Sequence, residues 1–236
     1  MKIRPETRLL VLTGAGVSAE SGIRTFRDHG GLWDNHRVED VATPEAFARD
    51  PLLVWNFYKE RWRKTLAARP NAAHLALVAL EQRLQDNFHL ITQNVDNLHR
   101  EAGSRRLLEM HGSLHSCFCT GCDARYALAD IDLEQDLPLC PSCDEPLRPD
   151  VVWFGEIPYH LEQIDHLLKN CDVFLLVGTS GAVYPAAGFV MTAKYLGAHT
   201  MAVNLEPPGN SQFVDEFHPG KAGEILPRLL REWFPD

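Results

Sequence analysis

Short, continuously apolar runs separated by longer amphipathic stretches set the rhythm of this chain. Residues 8–13 (RLLVLT), 88–92 (FHLIT), 172–180 (DVFLLVGTS) and 199–206 (HTMAVNLE) are too short for helices and lack the alternation of a half-wet strand, so each reads as a buried strand. The run 150–154 (DVVWF) reads the same way. Helix openings are equally plain. Thr43 before Pro44 and Asp50 before Pro51 each put a capping oxygen ahead of a proline in the first helical position, and the second helix should run over 51–68. Asn71 can cap a helix over 72–84, where leucines recur at helical spacing. Further helices are expected over 158–169, 185–196 and 222–233.

Strands alternating with helices predict an α/β fold with a Rossmann-like, doubly wound parallel sheet. Residues 28–68 and 116–148 break the rhythm and read as a helical and a cysteine-bearing insertion that build a smaller lobe. The expected organisation is one domain, its large lobe made of residues 1–27, 69–115 and 149–236.

Charge and composition narrow the setting. The chain has 236 residues, 45% of them hydrophobic, and a formal charge of −9, which disfavours binding nucleic acid or anionic membrane by general electrostatics. No apolar run approaches the roughly 18 residues of a bilayer span, and the first, 9–12, is too short for a signal peptide. A cytoplasmic protein is expected, where paired cysteines more often hold metal than form disulfides. Cys119, Cys122, Cys140 and Cys143 have the spacing C-x2-C-x17-C-x2-C, which can deliver four thiolates to one structural zinc; a redox disulfide pair and unrelated buried cysteines are the competing readings. Cys117 offers a third thiol in the first knuckle, but the two-residue gap favours Cys119. Cys171 reads as a core residue.

Gly14, Ala15, Gly16, Val17, Ser18 and Ala19 match G-x-G-x-x-G/A after a strand and before an expected helix, a setting that suits a pyrophosphate. The motif is weak alone, and the usual acidic residue about 20 positions on is not evident. Polar groups also follow three other strands: Gln93, Asn94 and Asp96; Gly178, Thr179 and Ser180; Asn204 and Glu206. Such clusters meet outside the carboxyl ends of an open parallel sheet, where ligands bind.

Residues 14–27 (GAGVSAESGIRTFR), 92–99 (TQNVDNLH), His111-Gly112, the two cysteine pairs, 151–156 (VVWFGE), 178–180 (GTS) and 204–206 (NLE) together resemble the sirtuins, over nearly the whole chain and in the family's order. Arg24 departs from the proline that many relatives carry there. The resemblance implies an NAD-dependent protein-lysine deacylase that releases nicotinamide, free lysine and O-acyl-ADP-ribose. It implies His111 as general base, Asn94 orienting the nicotinamide ribose and a water, Asp96 accepting from the carboxamide and Gln93 on a ribose hydroxyl. Phe26 and Arg27 would cover the cofactor, Ser180 would meet phosphate or ribose, and Asn204 and Glu206 the adenine-side ribose. Trp33, Thr179, Leu205 and Ala222 complete the implied cofactor contacts. His99 also matches the motif, with a structural role at least as well supported. Val152, Trp153, Phe154 and Gly155 would pair with a substrate peptide as an added strand.

Tyr58 and Arg61 lie three apart on a predicted helix and share a face. By residue type alone this is a solvated basic face, with Lys59, Arg63 and Lys64 beside it. In this position Y-x-x-R resembles the sirtuins that remove succinyl and malonyl groups, so both deacetylation and desuccinylation are expected. The implied partners are acyl-lysine side chains of other proteins, with no membrane, no nucleic acid and a monomeric state. Other readings are a mono-ADP-ribosyltransferase using the same NAD pocket, an ordinary NAD dehydrogenase and a non-catalytic zinc-ribbon module.

Overall fold

The computed structural model describes residues 1–23, 32–33 and 36–235, the side chains of residues 32 and 33 excepted. The strands are β1 (Leu9–Thr13), β2 (Leu32–Trp33), β3 (His36–Arg37), β4 (Phe88–Thr92), β5 (Leu107–Glu109) and β6 (Gly112–Cys119). They continue as β7 (Arg125–Ala127), β8 (Leu147–Val151), β9 (Val173–Val177), β10 (His199–Asn204) and β11 (Glu216–Pro219). The helices are α1 (Val38–Val41), α2 (Pro44–Arg49), α3 (Pro51–Ala67), α4 (Ala72–Leu84), α5 (Leu98–Ala102), α6 (Leu161–Asn170), α7 (Ala186–Tyr195) and α8 (Ala222–Trp233).

Six strands form one parallel sheet in the order β11-β10-β9-β1-β4-β5. Successive side chains explain why its central strands are apolar throughout. Leu9, Val11, Val173, Leu175 and Val177 join a core with α4 and α8, while Leu10, Leu12, Phe174 and Leu176 join a second core with α6 and α7. Both faces are therefore covered, as the doubly wound reading requires. From β1 the chain builds outward through β4 and β5, then returns to β9 on the other side of β1. That reversal opens a crevice at the carboxyl ends of β1 and β9.

The caps are as read. Thr43 Oγ1 accepts from Ala46 N at 3.0 Å and Asp50 Oδ1 from Leu53 N at 2.9 Å. Asn71 Oδ1 accepts from Ala73 N, and the His74 ring closes a capping box on Asn71 N.

Three elements differ from expectation. The glycine-rich segment is followed by two 3₁₀ turns, Ala15–Val17 and Ala19–Ser21, where an α-helix was expected. Its bonds run three residues back (Ser18 N to Ala15 O, Gly22 N to Ala19 O), so no long helix dipole points from this segment at a ligand. Only the first two residues of the apolar run 150–154 are strand, because β8 ends at Val151. Beyond it Trp153 N donates to the Glu156 carboxylate and Phe154 N to Ala42 O, which takes those amides out of any ladder, and Gly155 turns the chain at φ +92°. Finally, β6 starts beside His111, runs into the first cysteine pair and joins β7 and β8 in a small antiparallel sheet. Helix α3 docks there: Trp55 Nε1 donates to Leu147 O at 2.8 Å, and Lys59 Nζ reaches the carbonyl oxygens of Gln135 and Asp136.

Candidate functional site

A cleft of about 800 Å³ opens at the carboxyl ends of β1, β4, β9 and β10, and all four polar clusters line it. Gly14, Ala15 and Gly16 meet Gly178, Thr179 and Ser180 on its floor, beside Asn204, Leu205, Glu206 and Ala222. The glycines are needed for contact between the two loops. Gly16 N donates to Gly178 O at 2.8 Å, and a Cβ on Gly16 would sit 2.8 Å from Gly178 Cα. Gly178 itself has φ +60°, and a Cβ there would collide with Val17 N.

The amide side chains after β4 are tethered. Gln93 Nε2 donates to Thr179 Oγ1 at 3.1 Å, tying the β4 and β9 loops together. Asn94 Nδ2 donates to Gly14 O at 3.2 Å and Ser18 Oγ at 3.1 Å, while its backbone N–H donates to Thr92 Oγ1. Asp96 is 5% exposed. Burial raises its pKa above the ordinary carboxyl value, opposed by bonds from Ser18 and from Leu98 N. Ser18 is fully buried behind these groups and does not line the cleft.

His111 lines the cleft with one nitrogen committed. Its Nδ1 stands 3.1 Å from Gln93 O, and a carbonyl can only accept, so Nδ1 carries the proton and Nε2 keeps the basic lone pair. Burial lowers the pKa of the ring, with the Gln93 carbonyl pulling the other way. The imidazole is neutral at pH 7.

Across the cleft, Val152 N donates to His111 O at 2.9 Å, and Val152, Trp153, Phe154 and Gly155 all line the wall. Arg61 lines it too, with Thr65 one turn further along α3. Tyr58 does not: it is 1% exposed, its hydroxyl under Trp153 Nε1 at 2.9 Å, and burial holds the phenol well above its ordinary pKa. Phe26 and Arg27 lie outside the described residues, and only the backbone of Trp33 falls within them. Ala42, Glu20, Tyr184 and Lys221 also line the cleft. Nothing in the spacing of the sequence marked these four, because loops far apart in the chain bring them there.

The sulfur atoms of Cys119, Cys122, Cys140 and Cys143 all lie within 4.8 Å of one another. The Cys119–Cys143, Cys122–Cys143 and Cys122–Cys140 separations are 3.4, 3.5 and 3.8 Å. A tetrahedral zinc with bonds of about 2.3 Å puts its sulfurs about 3.8 Å apart, so the quartet fits. Backbone amides of Gly121, Cys122 and Ser142 point at Cys119 and Cys140 sulfurs, as thiolates require. Cys117 is outside the quartet; its thiol faces Tyr126 O, and burial pushes its pKa up to about 12.

Comparison with known proteins adds an independent line. Residues 14–185 match the model of the Sir2 family. The chain is 51% identical over 230 residues to the NAD-dependent protein deacylase of Pasteurella multocida, covering 97% of this chain and 98% of that protein. It superposes on the crystal structure of a Sir2 homolog–NAD complex with a TM-score of 0.88 at 42% identity, over 97% of this chain and 90% of the other. A Sir2–p53 peptide–NAD+ complex gives 0.85 at 31% identity, over 95% and 92%.

Proposed function

The chain belongs to the Sir2 family, and we propose that it is an NAD-dependent deacylase of protein lysines, with His111 as its general base. One observation carries the reading: the ring whose Nε2 keeps a lone pair faces a cleft lined by all four polar strand ends. A neutral imidazole with a lowered pKa suits proton removal near pH 7.

Gly14–Gly16 and Gly178–Ser180 would hold the phosphates of NAD on exposed backbone, Asn204 and Glu206 the far ribose, with Leu205 and Ala222 beside it. Gln93 and Asn94 would set the near ribose and Asp96 the carboxamide. NAD, when bound, supplies the ADP-ribose that accepts the acyl group and releases nicotinamide. His111 takes a proton from a ribose hydroxyl, Asn94 orients the ribose and a water, and Val152–Gly155 with Trp153 hold the acyl-lysine peptide. Phe26 and Arg27 are proposed to cover the cofactor, and Trp33 to contact it. Zinc, held by the four cysteines, keeps the small sheet in shape and takes no part in the chemistry. The sheet-bearing part (1–27, 69–115, 149–236) and the α3 and cysteine insertions are proposed to act as two lobes around the cleft.

The acyl group is the finer point. Arg61 on the wall supplies a guanidinium for a carboxylate at the end of a succinyl or malonyl chain, with Tyr58 beneath it. Acetyl-lysine should also be accepted. A cytoplasmic setting suits the thiol quartet, a monomeric state is proposed with it, and no described helix is long and apolar enough to cross a membrane. Mass spectrometry of products from paired acetyl- and succinyl-lysine peptides with NAD tests the reading. O-acyl-ADP-ribose and nicotinamide are expected. ADP-ribosylated protein with the acyl groups intact would replace deacylation by transfer.

A further inference from the structure

Behind the cleft two imidazoles pack against each other away from solvent. His74 is 0% and His99 2% exposed, and their ring centroids are 4.7 Å apart. His99 Nε2 lies 3.0 Å from Thr13 Oγ1. The Thr13 hydroxyl donates to Thr92 Oγ1 at 2.9 Å, in preference to the Ile91 carbonyl at 3.5 Å, and the Asn94 backbone N–H donates to that same Thr92 oxygen at 3.1 Å. A hydroxyl has one proton to give. Thr13 gives its proton to Thr92, so its contact with His99 requires Nε2–H as the donor.

On the far side, His74 Nδ1 accepts from Asn71 N at 3.3 Å, which puts the His74 proton on Nε2. The Asn71 amide donates in turn to Val17 O and Ser21 Oγ in the glycine-rich segment, at 2.8 and 2.9 Å. His99 Nδ1 and His74 Nε2 find no hydrogen-bond partner among the described residues. Burying a polar ring atom in that way destabilises the fold. An apolar ring would fill the same space without that cost, so packing alone is a poor reason for histidine here. What only the imidazole supplies is the Nε2–H that holds Thr13.

We propose that His99 is a positioning residue for Asn94. Its Nε2–H orients the Thr13 hydroxyl onto Thr92, and Thr92 Oγ1 anchors the Asn94 backbone. The Asn94 side chain is thereby held between Gly14 O and Ser18 Oγ on the cleft wall. His99 does not line the cleft. The inference rests on Asn94 acting as proposed above.

The test compares His99→Phe with His99→Gln in the full-length, zinc-loaded chain, since a glutamine Nε2 can stand where the imidazole Nε2–H does. Two readouts are taken: amide hydrogen exchange at Asn94, and kcat and KM on an acetyl-lysine peptide. In His99→Phe, Asn94 exchange should rise and kcat fall about tenfold, the worth of one hydrogen bond, with peptide KM little changed. His99→Gln should recover most of both effects at equal thermal stability. Unchanged Asn94 exchange in His99→Phe, or a glutamine variant that behaves like the phenylalanine one, overturns the proposal. Exchange needs no turnover, so it reads the link by itself, while nicotinamide release by the unaltered chain reads the function by itself.

Discussion

Trp153 donates its indole N–H to the Tyr58 hydroxyl oxygen across 2.9 Å. An indole can only donate, so the phenol oxygen is fixed as the acceptor. The indole is itself pinned: the Arg148 guanidinium stacks 3.5 Å over its ring and pairs with Glu156, which also accepts from Trp153 N. At this side of the cleft α3 and the turn after β8 are therefore tied into one unit.

Arg61→Met should cut kcat/KM on a succinyl-lysine peptide about ten- to a hundredfold, the loss of one or two charge-assisted bonds. The loss on the acetyl-lysine peptide should be clearly smaller. Parallel kinetics on the two peptides decide it, and equal losses would remove Arg61 from acyl recognition.

Deacylation should depend on pH through neutral His111. Its pKa is lowered by burial, so activity stays level from pH 7 to 8 and falls only as pH drops through a value below the ordinary imidazole pKa of about 6.5. The acid limb of kcat/KM reports it. Replacing His111 by alanine should abolish turnover in a folded protein that keeps its zinc, and an acid limb above pH 6.5 would assign the limb to another group.

Stability should show the buried imidazoles. Burial takes His74 down to about 4 and His99 to about 3. Between those values and about 6.5 the unfolded chain binds protons that the folded chain refuses, so stability is full above pH 6.5 and declines as pH falls. At pH 5 the penalty is about 2 kcal/mol per ring. Urea unfolding at pH 7 and pH 5 should reveal it, and His99→Phe should flatten the dependence by about one proton. A midpoint indifferent to pH over this range would contradict the buried pair.

Zinc content should separate the cysteines. Cys117→Ala should retain one zinc per chain, whereas Cys140→Ala should lose the metal and unfold at lower temperature. Metal analysis with a melting curve reads both, and a zinc-free Cys117 variant would place that thiol among the ligands.

Much of this molecule was legible in the chain because its cues are local. Apolar runs gave β1, β4, β9 and β10, proline and capping residues gave α2 and α3, and cysteine spacing marked the quartet. Other features depend on what lies opposite. β11 is four residues with a charge, a histidine and a proline, and it is a strand only because β10 offers an edge. Spacing put Tyr58 and Arg61 on one helix face but carried no information about depth, and only Arg61 reaches the cleft wall. The glycines suggested phosphate, yet their tightest constraint is the neighbouring Gly178 loop. Thr13 and His99 are 86 residues apart, and neither type of residue announces such a contact.

A single strand joins the cleft to the thiol quartet. β6 begins at Gly112, next to the proposed base His111, and ends at Cys119 in the thiol quartet. Eight residues at about 3.3 Å each make a strut of about 25 Å. One end is clamped by the thiol quartet; at the other, Gly112 packs against the Asp150 carbonyl so closely that no side chain fits. Cys122 and Cys143 stand exposed on the clamped end. An oxidant or chelator acting there would release the strut, and the imidazole would lose its aim without ever being touched. With His111 as the proposed base, loss of the metal would then be read out as loss of turnover.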